Sequence, residues 1–441
     1  MRHRSEELVV TATTGTAAFN IKGVTVHSAA NLPIGKGKRT IGVNKEKLWA
    51  QRHYLIEDEV SMMDRQMIMD LHTNLNKTKA FHDENFGGVN VIFMGDFYQM
   101  PTVSGEDLYI DEPESPTYQG HQLWRSLNAC VILTEQMRQA DDPEFAAMLQ
   151  RIRIHRPTDD DIKILNSRVG AHLSSGDPEI RIIVRRHKLR EALNAEKLRQ
   201  VSEMSGARII HCLAKIKTRS RMTLSEVYAL KGGTTKFKSD GILSVIVGAP
   251  LVITENINVP LGISFYALLI CITGLVNGGI VEFYGFADKH GVLIEDEVIT
   301  TLPAYMLVKL KNDVGIDVHL PGLPPFVVGI EPSSSTYYGG HGKNATISQF
   351  AAVLGYTITD FKCQSQTFSC HVIVDLKRPT GRGRSPGASP YVQLSRVKSL
   401  SRLSILRPFD PQDLRSPLPK ELQAELQWQE QLAERTKKLY I

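Results

Sequence analysis

Tyr54-Leu55-Ile56-Glu57-Asp58-Glu59 decides the fold, because an apolar run fit for a strand passes directly into three carboxylates. Two similar runs flank it: Leu8-Val9-Val10-Thr11-Ala12 before the turn-prone TTGT, and Val89-Asn90-Val91-Ile92-Phe93-Met94 before Gly95-Asp96. Each run is continuous rather than alternating, which predicts strands covered on both faces. Helical stretches such as Asp64 to Leu75 lie between them, and strands alternating with helices make a parallel sheet. A doubly wound α/β domain over about residues 1–140 is expected.

Further along, Asp142-Pro143 reads as an N-cap followed by a helical proline, and Phe145, Met148, Leu149 and Ile152 recur at i, i+3, i+4 and i+7. This predicts a helix with one buried face. A second α/β group has strand candidates at Ile182-Ile183-Val184, Cys370 to Val374 and Ser404-Ile405-Leu406. Residues 206–349 interrupt it with β-branched runs, Gly and Pro, and Ile242 to Val247 and Leu251-Val252-Ile253 read as short strands. The expected organisation is a first α/β domain at 1–140, connecting helices and the start of a second at 141–205, and a small β-rich insertion at 206–349. The second domain is completed at 350–411, and a helical tail occupies 412–441.

Composition sets outer bounds. Of 441 residues, 42% are hydrophobic and 22% charged, with 33 Gly and 21 Pro, which excludes collagen-like and low-complexity chains. A net charge of +5 permits a nucleic-acid partner without requiring one. Five cysteines with no CxxC pair argue against a disulfide scaffold and a structural zinc site, and favour a reducing compartment. The opening MRHRSEELVV lacks the apolar stretch of a signal peptide. The longest apolar run, Ile263 to Val276, falls short of the roughly 18 residues of a membrane span, so no membrane association is expected.

The chemistry is concentrated in four places. Asp58-Glu59 at a buried strand end is a pattern that holds Mg²⁺ through the first carboxylate and activates water with the second. Gln99, in Gly95-Asp96-Phe97-Tyr98-Gln99-Met100-Pro101, sets a carboxamide just past the next strand, where it would contact a γ-phosphate. Both groups would then face the crevice at the carboxyl ends of adjacent parallel strands. Arg138 and Arg396 complete a phosphate site, as guanidinium forks from a facing domain. Singly, each piece is also an ordinary strand end or surface ion-pair partner; the order and spacing of the set point to phosphoryl transfer.

These residues resemble the Pif-type (petite integration frequency) helicases of superfamily one, related to bacterial RecD. Six blocks carry the resemblance: TATTGTAAFNIKGVTVHS at Thr11–Ser28, LIEDEVSMMD at Leu55–Asp64, FGGVNVIFMGDFYQMPTV at Phe86–Val103, LTEQMRQ at Leu133–Gln139, TDFKCQSQTF at Thr359–Phe368 and YVQLSRVKSLSRLSILRPFD at Tyr391–Asp410. GDFYQ, DFKCQ and ILRPFD look most like fungal Pif-like proteins. The resemblance implies two RecA-like parallel-sheet domains, the second bearing the β-rich insertion, in a monomer that couples ATP hydrolysis to 5′–3′ translocation on single-stranded DNA. It further implies that Asp58 binds Mg²⁺, Glu59 activates water, Gln99 senses the γ-phosphate, and Arg138 and Arg396 are arginine fingers. Thr14, His27, Gln364 and Thr367 would lie on the DNA track. DNA junctions, a nuclear or mitochondrial location and roles in repair, recombination, telomere maintenance or mobile-element replication are implied in the same way.

Four departures from the family pattern stand out. No GxxxxGK[ST] occurs in these residues; Gly35-Lys36-Gly37-Lys38-Arg39-Thr40 and Gly342-Lys343-Asn344 do not replace it. In the family that loop precedes the first block, so the resemblance implies an N-terminally truncated gene model or a decayed copy, whose product would bind single-stranded DNA without turnover. Glu57 stands where the family has an aliphatic residue, which is costly unless the carboxyl is protonated or paired. Ser365 replaces a glycine and would be strained if the position needs positive φ. Ile263 to Gly274 separates stretches that are nearly contiguous in the family, as a retained intron would.

Overall fold

The computed structural model describes residues 7–33, 49–79, 84–171, 179–217, 222–233, 238–257, 275–310, 320, 322–338, 344–379 and 387–440. Its contacts divide the chain into two units: Met1–Ala171 with Cys363–Ser369 and Leu376–Ile441, and His172–Lys362 with Cys370–Asp375. Residues 376–441 fall in the first of these units, and the strand expected at Ser404-Ile405-Leu406 forms at Leu403–Ile405.

In the first unit, β1 (Leu8–Ala12) leads into helix α1 (Gly15–Asn20), β2 (Val24–Thr25), β3 (Tyr54–Asp58), helix α2 (Arg65–Lys79) and β4 (Asn90–Phe93). The sheet order is β2-β1-β3-β4 and every pair is parallel, as expected. The register aligns Val9, Leu55 and Val91 across the sheet, and likewise Thr11, Glu57 and Phe93. That face packs on Ile68, Leu71 and Leu75 of α2 and on Trp124. α2 forms because those apolar residues recur along one face, because Asp64 Oδ1 accepts the Met67 amide at 2.8 Å, and because Lys77 and Lys79 complement the carbonyl end.

The opposite face corrects the expectation of two-sided cover. Ile92 is 50% and Met94 44% exposed, and β4 ends the sheet. The apolar segment Val131-Ile132-Leu133 is not a strand, and Val131 is 75% and Leu133 86% exposed. Among the described residues, the far edge of β4 pairs with no other strand.

The helix Pro143–Arg153 is as expected: Asp142 Oδ1 caps the Phe145 amide at 3.1 Å, and Phe145, Met148, Leu149 and Ile152 are buried. In the helix Lys420–Tyr440 the buried stripe includes Leu422, Glu425 and Leu432. Glu425 accepts from the Trp124 indole at 2.9 Å and pairs with Arg125 at 3.0 Å, so its buried charge is matched.

In the second unit, Arg181–Val184 lies between parallel strands Thr357–Thr359 and Val372–Val374. The β-rich region contains a five-stranded antiparallel sheet of Val327–Ile330, Tyr305–Lys309, Ile280–Ala287, Pro250–Ile253 and Ala352–Leu354. Phe283, Phe286 and Phe350 form its centre, with centroids 4.9 and 5.5 Å apart along the series. The strand expected at Ile242 to Val247 stops at Val245, where the chain turns through Gly248 at φ 85°. Ile263–Gly274, Gly35–Thr40 and Gly342-Lys343 lie outside the described residues. Among those described, no helix is long and apolar enough to cross a membrane.

Candidate functional site

β3 delivers its three carboxylates into three different environments. Glu57 points into the packed face and is fully buried. The Thr11 hydroxyl donates to the Ile56 carbonyl at 2.8 Å, and the same oxygen meets Glu57 Oε2. The one hydroxyl proton is shared between these two acceptors, so Glu57 Oε2 receives at most part of a hydrogen bond. Desolvation pushes Glu57 up to about 8, against the Thr11 hydrogen bond and with a further rise from Asp58. Glu57 is therefore both neutralised and partly paired on one oxygen, and the other oxygen is buried without a partner.

Asp58 is half-buried at the strand's carboxyl end. Burial raises its carboxyl above the ordinary value, the Glu59 amide donating at 2.8 Å opposes this, and the Glu59 charge adds to the rise. The chain then turns sharply: Glu59 sits in the left-handed region at φ 58°, ψ 43°, a conformation that costs a side-chain-bearing residue about 1–2 kcal/mol. The turn is held by Thr13, whose amide donates to the Asp58 carbonyl and whose hydroxyl donates to the Glu59 carbonyl, both at 3.2 Å. Beyond β4, the Met94 amide donates to the Glu57 carbonyl at 2.7 Å and the Val60 amide to the Met94 carbonyl at 2.9 Å. Gly95 follows at φ 154°, and a Cβ there would lie 2.9 Å from the Val60 nitrogen, so only glycine lets the two strand ends approach.

Gln99 occupies the loop after Gly95, its amide donating to the Asp96 carbonyl at 2.9 Å. That loop is anchored by a residue sequence reasoning missed. Arg153, in the last turn of its helix, binds both oxygens of Asp96 at 2.8 and 3.2 Å and lies 4.0 Å over the Tyr98 ring. The only signal for it was a basic residue at a helix end.

The two predicted arginines are brought together within the first unit, rather than supplied by a facing domain. Arg138 Nη1 donates to the Ser395 carbonyl at 3.1 Å, and Arg396 donates to Ser395 Oγ at 2.7 Å and to the Val392 carbonyl at 2.8 Å. Burial and then the neighbouring Arg396 charge pull Arg138 down to about 10, despite Tyr391 and Glu59. Among the described residues neither guanidinium hydrogen-bonds a carboxylate. Two neighbouring like charges, one of them buried, favour an arriving anion.

Gln364, expected on the DNA track, is buried and donates through Nε2 to Glu59 Oε2 at 2.7 Å. Its neighbour Ser365 donates through Oγ to Glu59 Oε1. Ser365 has φ 63°, so the position does require the left-handed backbone that made the missing glycine suspect. Thr367 is exposed, Thr14 caps α1 by accepting the Ala17 amide at 3.2 Å, and His27 is half-buried in the short helix Val26–Ala29. The structure thus joins Glu59 to Gln364 and Arg138 to Arg396, and leaves Gln99, Thr14, His27 and Thr367 in separate contacts.

Among the described residues no group of three His, Cys, Asp or Glu could hold a metal. Mg²⁺ fits Asp58 nonetheless, because that ion accepts one or two carboxylates and completes its shell with water and phosphate oxygens.

A family model described as PIF1-like helicase matches residues 1–159. The ATP-dependent DNA helicase PIF1 of Candida albicans is 25% identical over 90% of this chain and 49% of its own length. The crystal structure of Pif1 helicase from Candida albicans superposes with a TM-score of 0.68 at 22% identity, covering 98% of this chain and 90% of that one. Pif1 helicase from Bacteroides, solved in complex with ADP-AlF3 and single-stranded DNA, gives 0.65 at 22% identity, over 96% and 87%. These structures show the fold, a RecA-like α/β architecture. The chain spans about half the length of the curated relatives it matches along most of its own length. The six sequence blocks and these likenesses point the same way: residues 1–159 match the PIF1-like helicase model, and the chain along most of its length is similar to PIF1 helicases.

Proposed function

We propose that this chain forms the nucleotide-responsive, single-stranded-DNA-binding body of an ATP-dependent 5′–3′ DNA helicase. The observation that carries the reading is the half-buried Arg138 beside the buried Arg396, neither hydrogen-bonded to a carboxylate among the described residues, in the same unit as Asp58 and Glu59. In this reading Glu59 takes a proton from the attacking water, Gln99 contacts the terminal phosphate, and the two guanidiniums offset charge on the transferring group. Asp58 would hold Mg²⁺, which when bound neutralises phosphate charge. Thr14, His27, Gln364 and Thr367 would line the DNA path.

A second reading, single-stranded-DNA binding without turnover, is favoured by two observations: these residues contain no GxxxxGK[ST], and among the described residues no strand pairs with the far edge of β4. The two readings share the DNA. Its test is anisotropy of labelled oligothymidine over a salt series. The logarithm of affinity should fall linearly with the logarithm of salt concentration, because Lys and Arg release phosphate counterions, and binding should tolerate sequence. Salt-independent affinity, or strong preference for one short motif, overturns both.

A further inference from the structure

We propose that Ser365 is a positioning residue for Glu59, and that single-stranded DNA and the Glu59 carboxylate compete for the 364–365 turn. The inference rests on the helicase reading and goes beyond it, since the family's position is a glycine that has no hydroxyl to donate.

Glu59 is buried, and both of its oxygens are engaged from this one turn, Oε2 by Gln364 Nε2 at 2.7 Å and Oε1 by Ser365 Oγ. A carboxylate only accepts, so the Gln364 amide must present its NH₂ to the acid, and its Oε1 is left buried without a hydrogen-bond partner. A buried amide oxygen in that condition favours any movement that gives it a donor. The turn is held from its other side by Asn20, at the end of α1, which donates to the Ser365 carbonyl. Glu59 and Ser365 both occupy the left-handed region as residues with side chains. Such backbone persists only where contacts over-determine it, and here the two strained residues bond to each other.

In this arrangement each Glu59 oxygen already accepts a hydrogen bond from the turn. Withdrawal of the turn onto DNA frees the carboxylate and gives the Gln364 amide new partners. By linkage, whatever loosens the turn from Glu59 must strengthen DNA binding by the same factor.

The experiment measures oligothymidine affinity at several salt concentrations for the parent chain and for Ser365→Gly, Ser365→Ala, Glu59→Gln and Ser365→Gly/Glu59→Gln. Ser365→Gly and Ser365→Ala should each tighten binding about fivefold, and Glu59→Gln at least as much, with the salt slope unchanged because no phosphate contact is altered. The double variant should bind no tighter than Glu59→Gln. A merely structural role would lower the melting temperature and weaken DNA binding together. Tightening by Ser365→Gly but not Ser365→Ala would assign the effect to backbone strain and overturn the proposal, as would additive effects or unchanged affinities. A parent chain that binds no oligothymidine would instead overturn the helicase reading on which the proposal stands.

Discussion

The two sheets of this protein solve burial differently. The antiparallel sheet of the β-rich region closes on its own side chains: Phe283, Phe286 and Phe350 are buried at its centre, and Val328, Met306 and Leu251 are buried with them on successive strands. The parallel sheet around Asp58 packs one face on α2 and Trp124, yet leaves Ile92 and Met94 half in water at its last strand. The antiparallel sheet includes the distant pairing of Pro250–Ile253 with Ala352–Leu354 and still buries its centre, whereas a parallel strand needs a crossover to bring each neighbour. The difference teaches that, among the described residues, the chemistry-bearing sheet is covered on one face only, while the β-rich sheet fills its own core.

The largest expected effect concerns the chemistry-bearing sheet. The 441 residues as given should show no DNA-stimulated phosphate release at a helicase-like rate. Attaching a strand and a GxxxxGK[ST] loop ahead of Leu8 should raise the rate by at least about 10³, the lower end of what one arginine finger supplies. Turnover by the unmodified chain that Glu59→Gln abolishes would break the comparison.

Next in size, Phe283→Ala should cost about 3–5 kcal/mol, because it opens a cavity in a core already complete. A loss under 1 kcal/mol in thermal or denaturant unfolding would show that the β-rich sheet does not fill its own core.

Glu57 separates the two faces of the parallel sheet. Its folded pKa is raised, so its contribution is present in full below the ordinary carboxylate value and is lost as pH climbs toward about 8. Melting of the first unit should therefore fall across that window, at up to about 1.4 kcal/mol per pH unit from this group. Glu57→Gln should flatten the slope, and Glu57→Ile should raise the melting temperature at neutral pH. A slope unchanged in Glu57→Gln, measured by calorimetry from pH 5 to 8, would place the pH dependence elsewhere.

The smallest effect is the most diagnostic. Ile92→Thr should change stability by no more than about 0.5 kcal/mol, since its side chain is half in water, while lowering binding of an apolar dye. A large destabilisation would mean that the bare face is packed after all.

Much of the site was legible because its parts are local. Asp58 and Glu59 follow an apolar run by adjacency, and the cap and stripe of the helix Pro143–Arg153 follow from short-range spacing. Other features depended on partners far away in the chain. Arg153 reaches Asp96 across 57 positions, and Glu425 reaches Trp124 across 301. Neither pairing has a periodic signature, so sequence offered only an isolated charge in each case.

By itself, then, the sequence determined the strand–helix alternation, the parallel sheet and the resemblance to PIF1-like helicases, because these rest on hydrophobic period and on residues close together along the chain. It also marked Glu57 and Ser365 as residues out of place. Only the tertiary structure decided what became of them: a neutral carboxyl against Thr11, and a hydroxyl donated to Glu59 from 306 positions away. The physical reason is that burial, protonation and hydrogen-bond partnership are set by the neighbours folding assembles, and one dimension of sequence does not record which groups will meet.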